Sequence, residues 1–304
     1  MAPLNPAPSP PPPNHLLSDA LAGCLAGAVS KTFIAPIDRV KLLLQLQTAT
    51  SSSVQYNGAV DVISRTLKHE GALSFWRGNM PAVYRHIGTT AFTFSLKDQF
   101  RNIALPFIYE SDKPNSRRRH LAGALLSGGA AGLVSCAVFY PLDYVRTLLA
   151  LDHGRRRERS YRGMRDVINA TVKLHGIAGV YNGFGVAVTG SVLFRALHLG
   201  LYDFGKHSLR PDQNTFANRF CVAQFVSIMA GTLCYPLDSV RRRLMMQGGE
   251  ATPLFTTTRQ CVAHILKNEG RRGFFLGLAP NLFRSVGGAV LLVSYDEFKS
   301  YLSP

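Results

Sequence analysis

The sequence predicts an all-α membrane protein with six transmembrane helices in three pseudosymmetric two-helix repeats. Three observations carry the prediction. Apolar stretches of spanning length recur along the chain, single ionisable residues interrupt several of them near the middle, and a set of short motifs returns about every 100 residues. The composition agrees: 304 residues, 46% hydrophobic, with 34 Lys plus Arg against 18 Asp plus Glu, a net charge of +16. A charged fraction of 17% and 27 glycines exclude a disordered or coiled-coil chain. The five cysteines show no C-x-x-C spacing, which argues against a zinc site or a disulfide framework. Cys24, Cys136, Cys221 and Cys234 lie in apolar stretches and read as buried thiols.

Residues 1–14 are proline-rich and uncharged, too stiff for a helix and without a targeting pattern, so a disordered tail is expected there. Six candidate spans follow. Ala20–Ile37 contains Lys31, and Pro81–Leu96 contains Arg85 and His86. Leu121–Leu142 is 22 residues long and uncharged. Val186–Tyr202 contains Arg195 and His198, Phe220–Leu237 is an uncharged 18 residues, and Ala279–Tyr295 contains Arg284. Each is near the ~20 residues a helix needs to cross a bilayer core. A soluble all-α core has few reasons to bury single arginines without acids beside them. A charge at bilayer depth costs several kcal/mol and normally faces a water-filled interior, so these cations mark a solute pathway.

The motifs divide the chain into repeats at 15–112, 113–212 and 213–304. Pro36-x-Asp38-x-x-Lys41 returns as Pro141-x-Asp143-x-x-Arg146 and Pro236-x-Asp238-x-x-Arg241. Glu70-Gly71, His175-Gly176 and Glu269-Gly270 each precede an aromatic-x-Gly triplet ending at Gly78, Gly183 and Gly277. Asp98-x-x-Arg101, Asp203-x-x-Lys206 and Asp296-x-x-Lys299 close the repeats. The period is too long for a solenoid. Each repeat thus holds two spans joined by a long loop, near 49–79, 152–185 and 248–279. In the first loop Val60, Ile63 and Leu67 fall on one helical face. The loops carry 14 Lys or Arg against seven acids, which places that side in the inner compartment.

A proline inside a span removes a backbone hydrogen bond and kinks the helix. Kinks at Pro36, Pro141 and Pro236 lean three odd-numbered helices on a common axis, where the acids and bases can close a ring. The pairs expected are Lys41 with Asp143, Arg146 with Asp238, and Arg241 with Asp38. Asp98, Asp203 and Asp296 with Arg101, Lys206 and Lys299 can form a second ring at the other end. Two gates around one cavity is an alternating-access design, and a desolvated ion pair that roughly balances its own burial cost suits a breakable gate. Gly23/Gly27, Gly128/Gly132 and Ser227/Gly231 supply the small-residue spacing for close helix packing.

These residues resemble the mitochondrial carrier family over about residues 16–302, and within it the ADP/ATP carriers. The likeness rests on the P-x-[DE]-x-x-[KR] motif found three times, on PIDRVKLLLQL at 36–46, LSFWRGNM at 73–80 and YPLDYVRTL at 140–148, and on RRRLMMQ at 241–247. The last is near that subgroup's RRRMMM signature, here Arg241, Arg242, Arg243, Leu244, Met245 and Met246. The resemblance implies the carrier fold, with a mid-membrane substrate site at Arg85, Gly190, Ser191 and Arg284. It adds Lys31, Phe194 and Arg195, and Gln45 as a brace on the gate of Asp38, Lys41, Asp143, Arg146, Asp238 and Arg241. Ala150 and Met245 stand at the other two brace positions. Phe194 and His198 replace tyrosines of ADP/ATP carriers, Thr93 an asparagine and Cys234 a serine.

The function expected is antiport of ADP and ATP, with Lys31, Arg85, Arg195 and Arg284 as phosphate partners and Gly190, Ser191 and Phe194 as a slot for the base. The alternative is another anion: coenzyme A, a different nucleotide, or nucleotide with phosphate. No G-x-S-x-G, Walker A or H-E-x-x-H motif supports an enzyme, and no cofactor or metal is called for. The charge and the runs 117–119 and 155–157 raise nucleic acid as a partner, but basic runs beside apolar spans serve topology and anionic lipid. Glycines at helix starts, Gly58, Gly78, Gly163, Gly183 and Gly277, can hold phosphate. The resemblance makes that lipid cardiolipin and the location the inner mitochondrial membrane, with another organelle membrane as the alternative. A monomer is expected.

Overall fold

A computed structural model describes residues 13–47, 55–92, 99, 116–152, 160–208 and 216–285. Among them the regular elements are helical. Three long helices are α1 (Pro13–Leu46), α4 (Ser116–Leu151) and α7 (Phe216–Gln247), with Pro36, Pro141 and Pro236 inside them. At 1.5 Å per residue they reach roughly 50 Å, past a ~30 Å hydrocarbon core. The even-numbered spans are α3 (79–92), α6 (Phe184–Ser208) and α9 (278–285). Short helices occupy the three long loops: α2 (Ala59–His69), α5 (Met164–Val180) and α8 (Thr258–Asn268).

Gly129–Leu151, Phe184–Gly205 and Phe220–Gln247 are long and apolar enough to cross a membrane, with mean hydropathies of 1.3, 1.5 and 1.6. They fall on the third, fourth and fifth predicted spans. The proline-rich residues 1–12 lie outside the described region, and α1 opens on Pro13, whose missing N–H is no loss in a first turn. Cys234 is buried as expected, but Cys24 and Cys136 are only half-buried and Cys221 is exposed on its helix. An apolar neighbourhood in sequence does not say which helix face a thiol occupies.

Proline orphans the carbonyl four residues before it, and the fold answers that cost repeat by repeat. The Trp76 indole Nε1 donates to the Thr32 carbonyl freed by Pro36, at 2.9 Å. The Tyr181 hydroxyl donates to the Ala137 carbonyl freed by Pro141, at 3.2 Å. Phe275 holds the same place in the third repeat and has no hydrogen to donate. There the tie runs the other way: Tyr235, just before the proline, donates to the Leu276 carbonyl at 2.7 Å and stacks on Phe275. The second repeat has both ties, since Tyr140 also donates to the Asn182 carbonyl at 2.8 Å. The aromatic-x-Gly triplet is therefore the strut that fixes each kink.

The glycine ending that triplet closes the ring. A Cβ on Gly78, Gly183 or Gly277 would lie 2.9 Å from the carbonyl of Arg146, Arg241 or Lys41 respectively, and all three glycines have φ near +80°. The start of each even-numbered helix thus rests on the next repeat, and the third rests on the first. Below the kinks, three apolar cores join odd-numbered helices to loop helices. Met246 packs with Leu42, Leu43 and Leu44, Met245 with Tyr140 and Tyr144, and Leu244 with Phe255, Cys261 and Ile265. The second half of the arginine–methionine signature is packing.

Candidate functional site

The ring of acids and bases is closed on the loop side. Lys41 Nζ meets Asp238 Oδ2 at 2.9 Å, Arg146 is paired with Asp38, and Arg241 with Asp143. All six expected residues take part, but each base pairs with the other neighbour from the one expected. A three-residue offset leaves acid and base about 60° apart on one helix face, so one can lean to each flanking neighbour. Which neighbour stands on which side depends on the hand of the bundle, and that is a tertiary property.

The three pairs are unequal. Gln45 Nε2 reaches Asp238 at 3.4 Å and Ser239 Oγ at 3.0 Å, bracing the Lys41 pair. Lys41 lies over the Tyr235 ring at 5.1 Å and Arg241 over the Tyr140 ring at 5.4 Å. The corresponding residue beneath Arg146 is Ala35, which offers no ring. Each acid also has a second cation. Arg85 from α3 lies 3.7 Å from Asp143, Arg284 from α9 lies 3.5 Å from Asp38, and Arg242 lies 3.2 Å from Asp238.

A cavity of about 360 Å³ opens above this ring between α6, α7 and α9. Gly190, Ser191, Phe194, Arg195 and Arg284 line it, with Cys234 and Leu237 on the facing wall and Lys41, Asp238, Arg241 and Arg242 toward the ring. Arg85 meets the same ring through Asp143, and the half-buried Lys31 lies within Coulombic reach of Asp38, Arg85, Arg146 and Arg284. The small residues have a part in this placement. A Cβ on Gly132 would lie 2.7 Å from the Arg195 guanidinium, and one on Gly27 would collide with the His86 ring, 1.9 Å from its Nε2. These two glycines seat side chains of α6 and α3 rather than bare backbone.

Three stretches of the chain, 12–106, 117–213 and 212–304, match the sequence profile of the mitochondrial carrier protein family. The chain belongs to the mitochondrial carrier family. It is a transporter rather than an enzyme, its family works without a cofactor, and the three matches coincide with three structural repeats. It is 45% identical to ADP/ATP translocase 3 of Bos taurus over 291 residues, which is 93% of this chain and 97% of that one. It is 44% identical to ADP/ATP translocase 2 of Rattus norvegicus and 43% identical to ADP/ATP translocase 4 of Homo sapiens, over 93% of this chain and 96% and 90% of theirs.

Within this carrier the three arginines of the signature point three ways. Arg241 pairs with Asp143 in the ring, and Arg242 bridges Asp238 to Thr147 Oγ1, at 3.4 Å for the latter. Arg243 is fully buried and turned from the cavity, its guanidinium clasping both oxygens of Glu269. Arg39 does the same work in the first repeat, donating to Glu70 at 2.6 Å. Neither clasp is visible in the repeat pattern, because Arg39 lies three residues after its proline and Arg243 seven after its own. Of the second predicted ring, Asp98, Arg101, Asp296 and Lys299 lie outside the described residues. So does the side chain of Lys206, while Asp203 is exposed on α6.

Proposed function

We propose that this carrier exchanges ADP and ATP by alternating access, with the gate described above as its loop-side door. One observation carries the reading. Arg85 and Arg284 rise from even-numbered helices to lie within 3.5–3.7 Å of gate aspartates at the cavity floor. Phosphate groups entering the cavity compete for both guanidiniums, and each one withdrawn leaves a gate carboxylate with one cation fewer. Substrate binding thereby weakens the gate, which is how a ligand favours the next state of a transport cycle. The cations Lys31, Arg85, Arg195 and Arg284 suit the roughly three to four charges of ADP and ATP. The likeness to ADP/ATP translocases supports the same substrate and the inner mitochondrial membrane.

Cardiolipin is the lipid this reading favours. Lys68, Arg77 and Arg162 line an open cleft of about 760 Å³ on the loop side, between the triplet of the first repeat and the start of α5. Arg77 is committed elsewhere, with Asp152 at 2.7 Å, so Lys68 and Arg162 remain for a headgroup. The carrier works as a monomer in this reading, since one chain closes the ring.

The test is counter-exchange in liposomes. The wild type exchanges external ADP for internal ATP, and Arg85→Ala or Arg284→Ala abolishes exchange while the protein keeps its fold. Undiminished exchange in either variant overturns the site. Phe194 and His198, the latter 3.0 Å from Ser227 Oγ, depart from ADP/ATP carriers and favour coenzyme A or another nucleotide as the competing substrate. Greater thermal stabilisation by one of these than by ADP at equal concentration would select it.

A further inference from the structure

The two alanines and one asparagine that stand four residues after Gly78, Gly183 and Gly277 break the threefold pattern. Ala82 and Ala187 are buried methyls at 4% and 2% exposure. The third is Asn281, on the cavity wall one helical turn before Arg284. Its Oδ1 is buried and has no hydrogen-bond partner. The other side-chain oxygens of the wall have partners, the Tyr235 hydroxyl among them. Ser191 donates to its own helix at Ala187, and the Asp238 carboxylate is held by Lys41, Arg242 and Gln45. An amide oxygen in a wall of cations has nothing to offer a phosphate, which at neutral pH presents acceptors only. It needs a donor, and the donors of a nucleotide are on the nucleoside.

We propose that Asn281 is a specificity-determining residue that reads the amine-bearing edge of the adenine ring. Its Oδ1 accepts from the exocyclic amine, and its Nδ2 can donate to the adjacent ring nitrogen, the pairing by which an asparagine amide recognises adenine elsewhere. The base then lies between the apolar slot of Gly190 and Phe194 and the α9 wall, with Arg284 one turn away for the phosphates. This inference rests on the nucleotide reading above. A ligand that lacks the amine leaves Oδ1 buried and unpaired, and one such loss is worth about tenfold in affinity.

The probe is ADP against purine riboside diphosphate, the same nucleotide without the amine, in liposome counter-exchange. The wild type has a KM about tenfold higher for the purine compound, and in Asn281→Leu the two substrates become equivalent. Thermal stabilisation of the detergent-purified wild type by the two nucleotides gives the same ranking without any variant. Equal KM values in the wild type, or an undiminished preference in Asn281→Leu, overturn the proposal. So does a preference that Asn281→Leu abolishes only against 2′,3′-dideoxy-ADP, which puts the contact on the ribose. No ADP exchange by the wild type overturns the nucleotide reading itself, a different result from exchange without preference.

Discussion

The first and second repeats have nearly the same shape and hold it by different chemistry. In the first, the loop helix is clasped to α1 by a buried ion pair, Arg39 at 1% exposure with Glu70 at 6%, and Arg77 reaches across to Asp152. In the second, His175 stands where the acid would be. Tyr144 and Leu148 stand where the first and third repeats place their arginines. The Tyr144 hydroxyl donates to Thr171 Oγ1 at 3.0 Å, and His175 Nε2 meets the Glu250 carbonyl at 2.8 Å. The third repeat returns to an ion pair, Arg243 with Glu269. Geometry common to all three is set by proline and glycine, whose constraints are steric. What fills the space between them is free to be ionic or neutral.

The largest effect should come from cutting an ionic clasp. Removing one partner of a buried pair strands the other, a loss of about 3–5 kcal/mol. Arg243→Leu and Arg39→Leu should each lower the Tm of the purified protein by many degrees. Tyr144→Phe in the second repeat strands nothing charged and should cost about 1 kcal/mol. Equal Tm losses in the three variants would erase the distinction between the repeats.

The kink struts are next in size. Trp76→Phe keeps the ring and removes the donor from the Thr32 carbonyl, which a bilayer cannot replace with water; about 1–3 kcal/mol is expected. Tyr181→Phe should cost less, because the second repeat keeps the Tyr140 strut. A double variant, Tyr140→Phe with Tyr181→Phe, should exceed the sum of its parts if the two struts share one kink. Strict additivity in Tm would show that they act separately.

Much of this was legible in sequence. Periodicity and repeats give the helices, the prolines give the kinks, and the P-x-D-x-x-[KR] spacing gives all six members of the ion-pair ring. The partner of each member was not legible, because the spacing fixes a face and leaves the hand of the bundle open. Arg85–Asp143 and Arg284–Asp38 were missed for a related reason. Those arginines read as substrate ligands, and nothing in their own segments places an acid within reach. Asn281 did carry a signal, as the amide that breaks an Ala82/Ala187 pattern. The clasps of Arg39 and Arg243 carried none, since they occupy different offsets in different repeats.

The smallest effect is local and kinetic, and it concerns the third repeat alone. Cys261 is fully buried where α8, outside the membrane-spanning segments, packs on α7, and burial pushes its thiol up from about 9 to about 12. The folded state therefore favours the protonated form. That contribution is complete below about pH 9 and is lost as pH rises through about 12. At pH 8 alkylation of Cys261 needs both an opening of α8 and a thiolate, so it should be far slower than in the denatured chain. Glu269→Gln weakens the clasp that holds the end of α8 and should raise the labelling rate at Cys261 severalfold, while Glu70→Gln in the first repeat leaves it unchanged. Mass spectrometry of pulse-labelled protein checks both. A rise at Cys261 in Glu70→Gln would mean that the repeats open together, and the clasps would then be one shared lock in place of separate ones.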